Sequence, residues 1–312
     1  MNYSIIIPHK NIPKLLQRCL DSIPMREDLE VIVVDDNSDP TIVDFDNFPG
    51  KYRSDTLVVF DKSGKGAGRA RNIGLEHAKG KWILFADADD FYTSVLDSIL
   101  DEYASSNEDV IFFRKKSVMS DDISKESKRS SWNEEIIDNY FQTGDESEIR
   151  CNFGAPWAKI IKRSLIIEND IHFAEIAYSN DIEFSAMVGV KAKKIKVADQ
   201  TMYVCTERSG SLTSSLYSKE GELEIRANAC LSYAKIITEH GYPFPVLPIA
   251  RFLNMMFRND MSLYHSFSMR LLGSRLDYWK AVRQAGKFMK YRKIPFFIYS
   301  LFTSAYYKVH LK

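Results

Sequence analysis

The chain has 312 residues, of which 45% are hydrophobic and 27% charged, and its 42 basic residues balance its 42 acidic ones. This composition excludes a mainly disordered, collagen-like or disulfide-stapled protein, and the balanced charge gives no overall field that would favour nucleic acid. The length exceeds the roughly 100–200 residues typical of one domain, which predicts either a large α/β domain with a smaller appendage or two closely packed halves.

Short apolar runs alternate with helical patterns over the first hundred residues, which is typical of βαβ units and a mostly parallel, doubly wound sheet. Asn11 is expected to cap the first helix, and the charged, serine-rich residues 115–135 predict a mobile loop or lid. Strands are predicted at residues 3–7, 30–34, 56–60, 82–86 and 110–113, and helices at about 13–23, 69–78 and 94–103.

The second half begins with fewer clear periodic segments. Residues 178–181 open a predicted helix, a strand is predicted near residues 195–203, and from about residue 220 the pattern is helical to the end. We therefore divide the chain into an α/β domain over residues 1–215 and a helical, basic and aromatic region over residues 216–312.

Cysteine usage and hydropathy bear on the compartment. No apolar run approaches the roughly 18 residues of a membrane span, and the run at residues 3–8 is too short for a signal peptide. The sequence therefore predicts a cytoplasmic protein, neither integral to a membrane nor secreted. The cysteines show neither C-x-x-C spacing nor the density of a secreted scaffold; they are Cys19, Cys151, Cys205 and Cys230.

Two acidic clusters directly follow predicted strands. Asp35 and Asp36 end the second strand, and Asp87, Asp89 and Asp90 follow the fourth. Ligands of open α/β sheets bind at the carboxyl ends of strands, so both clusters are expected to line one cleft. Neighbouring carboxylates repel one another unless a cation binds, and Asp-x-Asp supplies oxygen ligands that suit Mg²⁺ or Mn²⁺. A solvated acidic turn is the alternative for an isolated Asp-x-Asp.

Two further features are candidates for binding a nucleotide. Asp36 offers an acceptor for an N–H of a pyrimidine or purine base, whereas the alternative is an Asx-turn or helix cap formed by residues 35–38. The glycine-rich loop at residues 63–68 either meets a diphosphate at a helix start or is a flexible loop with surface arginines. It matches neither the P-loop nor the Rossmann fingerprint. The side chains in or just after this loop that could contact a diphosphate are Lys65, Arg69, Arg71 and Asn72.

Four segments follow one another in the first ninety residues, namely Ser4-Ile5-Ile6-Ile7-Pro8-His9-Lys10-Asn11 and residues 30–38, 68–74 and 81–90. Together they resemble the motifs of the inverting family 2 glycosyltransferases of the GT-A fold, especially bacterial enzymes that build capsular or other surface polysaccharides. In the family the last three motifs read E-x-I-x-V-D-D-x-S, G-x-x-x-A-R-N-x-G and K-Y-I-L-F-L-D-x-D-D, and Lys10 departs from the aromatic residue usual in the first.

The resemblance extends to roughly residue 215. Residues 155–159 resemble an acceptor-side P-W-x-K segment, and residues 203–213 resemble the closing Y-x-x-R-x-G-S-x-T run. Asn180 and Asp181 stand where the family commonly has Glu-Asp. The fold implied is a GT-A type α/β fold with a doubly wound, mostly parallel, mixed sheet and a C-terminal helical region.

The resemblance also implies roles for individual residues. It places a nucleotide base near Pro8 and Asp36, a metal at Asp89 that bridges the diphosphate, and a general base at Asp181, for which the alternative is a helix cap. Trp157 either stacks on a sugar or fills the core. Arg208 either contacts the diphosphate or the acceptor, or is an ordinary charged residue of a loop. The remaining donor-side candidates are Asn11, Arg71, Asn72, Asp87 and Asp90, and the remaining acceptor-side candidates are Lys159 and Asn180.

The predicted function is metal-dependent, inverting transfer of a hexose-type sugar from a nucleotide-diphosphate sugar, with UDP expected from family frequency. The acceptor is expected to be a glycan or a polyprenyl-linked oligosaccharide, and no nucleic acid is expected. The alternatives are a sugar nucleotidyltransferase, which would carry a basic phosphate loop directly after the first strand, and a non-catalytic, membrane-associated module that binds nucleotides.

The last forty residues are strongly basic and aromatic. Asp277 is their only acid, and aromatic residues are dense over residues 288–307. Such a segment is typical of a helix at an anionic membrane interface, which predicts a peripheral position at the inner face of the cell membrane. The alternative is an appendage packed on the catalytic domain or on another subunit. The cations are Arg275, Lys280, Arg283, Lys287, Lys290, Arg292, Lys293, Lys308 and Lys312.

Overall fold

The computed structural model of the protein describes residues 1–129, 131–208, 221–289 and 293–310. The chain divides into two compact units, Met1–Leu216 and Tyr217–Lys312, and each unit has a hydrophobic core of its own. Among the described residues, no helix combines the length and apolar character needed to cross a bilayer. Some residues singled out above lie outside the described ones: residues 209–213 of the closing motif, Lys290, Arg292 and Lys312.

The first unit is built on one mixed sheet of eight strands. Its elements are β1 (Tyr3–His9), α1 (Pro13–Asp21), β2 (Leu29–Asp36), β3 (Thr56–Asp61), α2 (Ala67–His77), β4 (Trp82–Phe85), β5 (Phe91–Tyr92), α3 (Leu96–Tyr103), β6 (Val110–Met119), α4 (Trp132–Thr143), α5 (Ser147–Asn152), β7 (Lys159–Lys162), α6 (Arg163–Glu168), α7 (Ile182–Lys191) and β8 (Ile195–Glu207).

The strand order is β3-β2-β1-β4-β7-β6-β8-β5. Strands β1 to β4 pair in parallel, β7 is antiparallel to both of its neighbours, β6 and β8 pair in parallel, and β5 is antiparallel to β8. The predicted mixed, mostly parallel sheet is confirmed.

The middle of this sheet is buried on both faces. β1 and β2 carry the continuous apolar runs at residues 5–7 and 31–34, and all of these side chains are buried, as expected for parallel strands covered by helices. Helix α2 packs closely on β1 because Gly74 has no side chain: a Cβ there would lie 2.3 Å from Cγ2 of Ile6.

The sheet topology brings the two acidic clusters to one edge. β1 lies between β2 and β4, and all three run in the same direction. Asp36 ends β2 and Asp87 follows β4, so the two residues emerge at the same edge of the sheet, two strand spacings or roughly 10 Å apart. The expected shared cleft at the carboxyl ends of the strands therefore matches the topology.

Two local predictions are wrong. Helix α1 begins at Pro13 with Ile12 as its N-cap, not Asn11, whose φ of 58° lies in the left-handed region. The predicted loop at residues 115–135 is shorter than expected, because β6 continues to Met119 and α4 begins at Trp132. The charged strand is tolerated because the buried ammonium of Lys115 donates to Oγ of Ser117 (2.8 Å) and to a backbone carbonyl oxygen at residue 129 (2.9 Å).

The second unit is helical over its described residues. Its helices are α8 (Glu222–Glu239), α9 (Val246–Asn259), α10 (Met261–Gly273), α11 (Tyr278–Gly286) and α12 (Lys293–His310). Part of the aromatic segment forms its core: Phe296 is fully buried, and the hydroxyls of Tyr264 and Ser300 are hydrogen-bonded (2.6 Å). Other apolar side chains of α12 are exposed, namely Ile298, Leu301, Phe302, Tyr306 and Val309.

The four cysteines are buried free thiols. Burial raises the pKa of Cys19 and Cys205, and raises the pKa of Cys151 and Cys230 to about 12. These thiols therefore stay protonated and act as small apolar side chains.

Candidate active site

The cluster after β4 brings three carboxylates together. One oxygen each of Asp87, Asp89 and Asp90 lies within 4.8 Å of the other two. Burial raises the pKa of Asp90, and the neighbouring charges of Asp89 and Asp87 raise it further. A bound cation would relieve this repulsion, and three carboxylate oxygens are a donor set that fits Mg²⁺ or Mn²⁺.

Residues of strand β8 hold the cluster in place through hydrogen bonds. Asp90 is fully buried, with Oδ1 accepting from the backbone N–H of Thr206 (2.7 Å) and Oδ2 from the Tyr203 hydroxyl (3.1 Å). The same hydroxyl oxygen accepts a hydrogen bond from the backbone N–H of Asp87 (2.9 Å). Asp90 is therefore a buried anchor, whereas Asp87 and Asp89 remain partly exposed.

Several arginines surround the cluster. Arg18 donates to the backbone carbonyl of Asp89 (2.5 Å), and Arg129 Nη1 lies 4.0 Å from Oδ1 of Asp90. Arg208 Nε lies 3.1 Å from Oδ2 of Asp89, with its side chain about one third exposed. Sequence reasoning singled out Arg208 but missed Arg18 and Arg129, since neither stands in a motif.

Arg71 connects the cluster to the segment before α7. Its buried guanidinium donates to Oδ1 of Asp87 (2.6 Å) through Nη2 and to Oδ1 of Asn180 (2.9 Å) through Nη1, and it lies over the ring of Phe173 (5.3 Å to the centroid). Because Asn180 precedes Asp181, this bridge holds the candidate base close to the acidic cluster.

The neighbouring residues of α2 support the same contact. The side-chain amide of Asn72 exchanges two hydrogen bonds with the backbone of Phe173 (3.0 and 2.9 Å). Gly68 allows the helix to approach, because a Cβ there would lie 2.2 Å from the carbonyl oxygen of Ala174. The side chains of Arg71 and Asn72, expected on the donor side, are thus engaged by protein groups.

Asp181 occupies the N-cap position of α7 without acting as a cap. Within the described residues, the first turn of α7 donates no hydrogen bond to its side chain. Burial raises the pKa of Asp181, the Arg71 guanidinium lowers it, and Asp87 raises it; the net direction is upward. A carboxyl group with a raised pKa beside an acidic cluster is a candidate for acid–base chemistry.

The two acids that end β2 have different partners. Asp35 is buried and accepts hydrogen bonds from Nδ1 of His9 (2.8 Å) and the backbone N–H of Ser38 (3.0 Å). Burial alone would raise the pKa of Asp35, but these hydrogen bonds outweigh it and lower the pKa. These bonds tie Asp35 to the loop that follows it, and Asp36 faces the loop before α2, where its Oδ1 accepts from the N–H of Gly66 (3.0 Å).

Pro8 and Asn11 lie at and just after the end of β1, which is next to the end of β2. Pro8 is buried in β1 opposite Val34. The side-chain oxygen of Asn11 accepts from the backbone N–H of Asp39 (2.7 Å), and its own N–H donates to Oγ of Ser38 (2.9 Å). Asn11 thus ties the loop after β1 to the loop after β2.

The two acceptor-side candidates from the P-W-x-K segment are buried. Trp157 stacks on Tyr203, with ring centroids 5.3 Å apart and planes 9° from parallel. The ammonium of Lys159 donates to the carbonyl oxygen of Phe153 (2.7 Å); burial lowers the Lys159 pKa to about 7, against an opposing effect of Asp181. Both side chains therefore contribute to the core behind the site.

An α/β fold whose mixed sheet carries a carboxylate cluster at the carboxyl ends of its parallel strands is the arrangement expected of a GT-A glycosyltransferase. The family model for glycosyl transferase family 2 matches residues 4–169. The chain therefore belongs to this family, and the family predicted from the motifs is confirmed.

Two curated relatives are named as poly(ribitol-phosphate) glycosyltransferases. Over 228 residues the chain is 32% identical to the poly(ribitol-phosphate) beta-glucosyltransferase of Bacillus spizizenii, covering 70% of this chain and 34% of that protein. It is 26% identical over 291 residues to the poly(ribitol-phosphate) beta-N-acetylglucosaminyltransferase TarS of Staphylococcus aureus, covering 89% and 48%. The chain thus spans a third to a half of the length of these relatives.

A solved structure shows the same fold. The crystal structure of residues 1–349 of S. aureus TarS in complex with UDP-GlcNAc has a TM-score of 0.67 at 22% identity, over 97% of this chain and 88% of that one. The predicted fold class, a GT-A type sheet followed by a helical region, is confirmed.

Proposed function

We propose that the protein transfers a hexose-type sugar from a nucleotide-diphosphate sugar to a hydroxyl of a surface glycan or its lipid-linked precursor, with inversion at the anomeric carbon. The observation that carries the proposal is the group of three carboxylates after β4, which Arg71 links to the segment carrying Asp181. The names of the poly(ribitol-phosphate) glycosyltransferases support this class of reaction, and the UDP-GlcNAc complex of TarS supports a UDP-sugar donor.

In this proposal Asp87, Asp89 and Asp90 would hold Mg²⁺ or Mn²⁺. A bound divalent cation would neutralise the negative charge that develops on the leaving diphosphate. Arg208, which contacts Asp89 at the partly exposed side of the cluster, would contact the diphosphate. Asp36, beside Pro8 at the end of β1, would bind the base.

Asp181 would accept the proton of the acceptor hydroxyl as that oxygen attacks the anomeric carbon. A positioned general base contributes roughly 10²–10⁴-fold to such a step. Its burial favours this role, since a raised pKa makes the carboxylate a stronger proton acceptor. Arg71 and Asn72 then serve as positioning residues, because both are already bonded within the protein.

The test is the variant Asp89→Ala, measured by Mn²⁺ binding calorimetry and by turnover of UDP-GlcNAc and other UDP-sugars. We expect weaker Mn²⁺ binding and a loss of turnover of about 10²-fold or more, as for other groups that stabilise transition-state charge. The matched control is Asp21→Ala, an exposed carboxylate whose side chain bonds Gln17 on α1. Near-normal turnover by Asp89→Ala would refute the metal assignment, and donor binding without any transfer or hydrolysis by the wild type would favour a binding module instead.

We further propose a peripheral contact between α12 and an anionic membrane. The exposed residues Ile298, Leu301, Phe302, Tyr306 and Val309 recur at helical spacing on one side of α12, and nearby cations such as Arg283, Lys287 and Lys308 are exposed. Apolar insertion combined with basic side chains is what binds amphipathic helices to anionic lipids.

Flotation with phosphatidylglycerol vesicles tests this contact. The double variant Leu301→Ser/Phe302→Ser should float several-fold less than the wild type. Ile123→Ser, which changes an equally exposed apolar residue of the first unit, should float like the wild type. Equal flotation of the double variant and the wild type would refute the contact.

A further inference from the structure

A charged pair lies at the point where β1 and β2 end side by side. The parallel register sets His9 opposite Asp35, so Lys10 and Asp36 follow as the next facing pair. Nζ of Lys10 lies 3.0 Å from Oδ2 of Asp36. The carboxylate side chain is 5% exposed and the ammonium side chain 48% exposed, so the pair presents a fixed acceptor and a reachable donor.

The carboxylate of this pair is held in place from several sides. Its other oxygen accepts the N–H of Gly66 (3.0 Å), which fixes the plane of the group. The preceding residues His9 and Asp35 are hydrogen-bonded to each other, and Asn11 is bonded to Ser38 and Asp39. The two loops are therefore tied together on both sides of the pair, so that the pair is organised before any ligand binds.

Both members retain hydrogen-bonding capacity. An ammonium group has three N–H donors, of which Asp36 uses one, and a carboxylate oxygen can accept two hydrogen bonds. A ligand edge that offers an N–H next to a C=O can therefore bind Asp36 through the N–H and Lys10 through the carbonyl oxygen. An edge that offers an acceptor to Asp36 leaves a buried carboxylate facing a lone pair, which is strongly disfavoured.

We propose that Lys10 is a specificity-determining residue which, together with Asp36, selects a lactam base in the donor nucleotide. Uracil offers N3–H beside O4, and guanine offers N1–H beside O6, so both match the pair. Cytosine and adenine carry a ring acceptor, N3 and N1 respectively, in place of that N–H, so either base bound in the same orientation turns a lone pair towards Asp36. The inference rests on the proposed nucleotide-sugar function and specifies the base that this site recognises.

The first arm of the test uses the wild-type protein with Mn²⁺ and measures nucleotide dissociation constants by calorimetry. UDP should bind at least about tenfold more tightly than CDP, which carries the same diphosphate but presents a ring acceptor. N3-methyl-UDP, which lacks the N–H, should bind as weakly as CDP. If the donor is a purine nucleotide, GDP should exceed ADP by the same factor.

The second arm uses Lys10→Met, which keeps the length of the side chain and removes the ammonium. UDP affinity should fall about tenfold while CDP affinity changes by less than about twofold, so that the preference for UDP disappears. The matched control is Lys14→Met, an exposed lysine of α1 with the same charge, which should keep the wild-type preference. Thermal unfolding confirms that each variant is folded.

The outcomes separate this inference from the proposed function. An equal loss of UDP and CDP affinity in Lys10→Met would overturn the inference, because Lys10 would then act on the phosphates. Equal binding of UDP, CDP and N3-methyl-UDP by the wild type would also overturn it and leave the donor site intact. A wild type that binds no nucleoside diphosphate would overturn the donor site and the inference together.

Discussion

At the scale of single residues, Asp181 provides the most direct test of the chemistry. The variant Asp181→Asn should bind UDP-GlcNAc with Mn²⁺ as the wild type does but should transfer sugar roughly 10²–10⁴-fold more slowly. Since a base acts only when deprotonated and burial raises the pKa of Asp181, the wild-type rate should rise with pH through a value above that of an ordinary carboxyl group. A single-turnover pH profile measures both effects, and an active Asp181→Asn enzyme would remove the residue from the base role.

Arg71 should shift the same pH profile. Its guanidinium lowers the pKa of Asp181, so Arg71→Met should move the acid limb of the profile to higher pH. The control is Arg69→Met on the same helix, whose partner is the partly exposed Glu175; an unchanged acid limb in Arg71→Met would show that the bridge does not tune Asp181.

The residues of the site differ in how far the sequence predicts them. Asp36, Asp87, Asp89 and Asp90 are predicted because they stand at the ends of apolar strands, and Asp181 is predicted from the resemblance. Arg18 and Arg129 were not found, since they reach their backbone partners Asp89 and Thr206 across 71 and 77 residues of sequence. Contacts of that span depend on the completed fold and leave no local pattern.

At the scale of elements, the packing of α7 on α5 depends on Gly189. A Cβ at this position would lie 1.8 Å from the carbonyl oxygen of Arg150, so Gly189→Ala must displace α7, which begins directly after Asp181. We expect a loss of stability of about 1–3 kcal/mol and a lower transfer rate, measured by urea unfolding and turnover. Gly154→Ala is the control, because the nearest atom to its Cβ would be 3.8 Å away; equal stability of the two variants would contradict this account.

Strands with a continuous apolar run were predictable, and strands without one were not. β1, β2 and β4 carry such runs, which are typical of strands covered on both faces. β5 has only two residues, and β7 has two isoleucines between two lysines. Both pair antiparallel within a sheet whose first half is parallel. The charged half of β6 resembles a loop until Lys115 and its buried partners are seen together.

At the scale of the whole molecule, two separate cores predict two thermal transitions. A ligand stabilises only the unit to which it binds, by an amount that grows with its concentration relative to Kd. UDP with Mn²⁺ should therefore raise the transition of the first unit in scanning calorimetry and leave the other unchanged. Leu253→Ala, which leaves a cavity in the core of the second unit, should lower only the transition temperature of that unit. A single transition that both changes shift would contradict this independence.

The buried thiols determine how the protein can be labelled. Maleimides and other alkylating reagents attack thiolates, and all four native cysteines are shielded and held in the neutral form. A cysteine introduced at an exposed position, for example Val309→Cys, would react far faster than the native ones. A single fluorophore or spin probe can thus be attached to α12 without removing any native cysteine, and its emission or mobility would report directly on contact with vesicles.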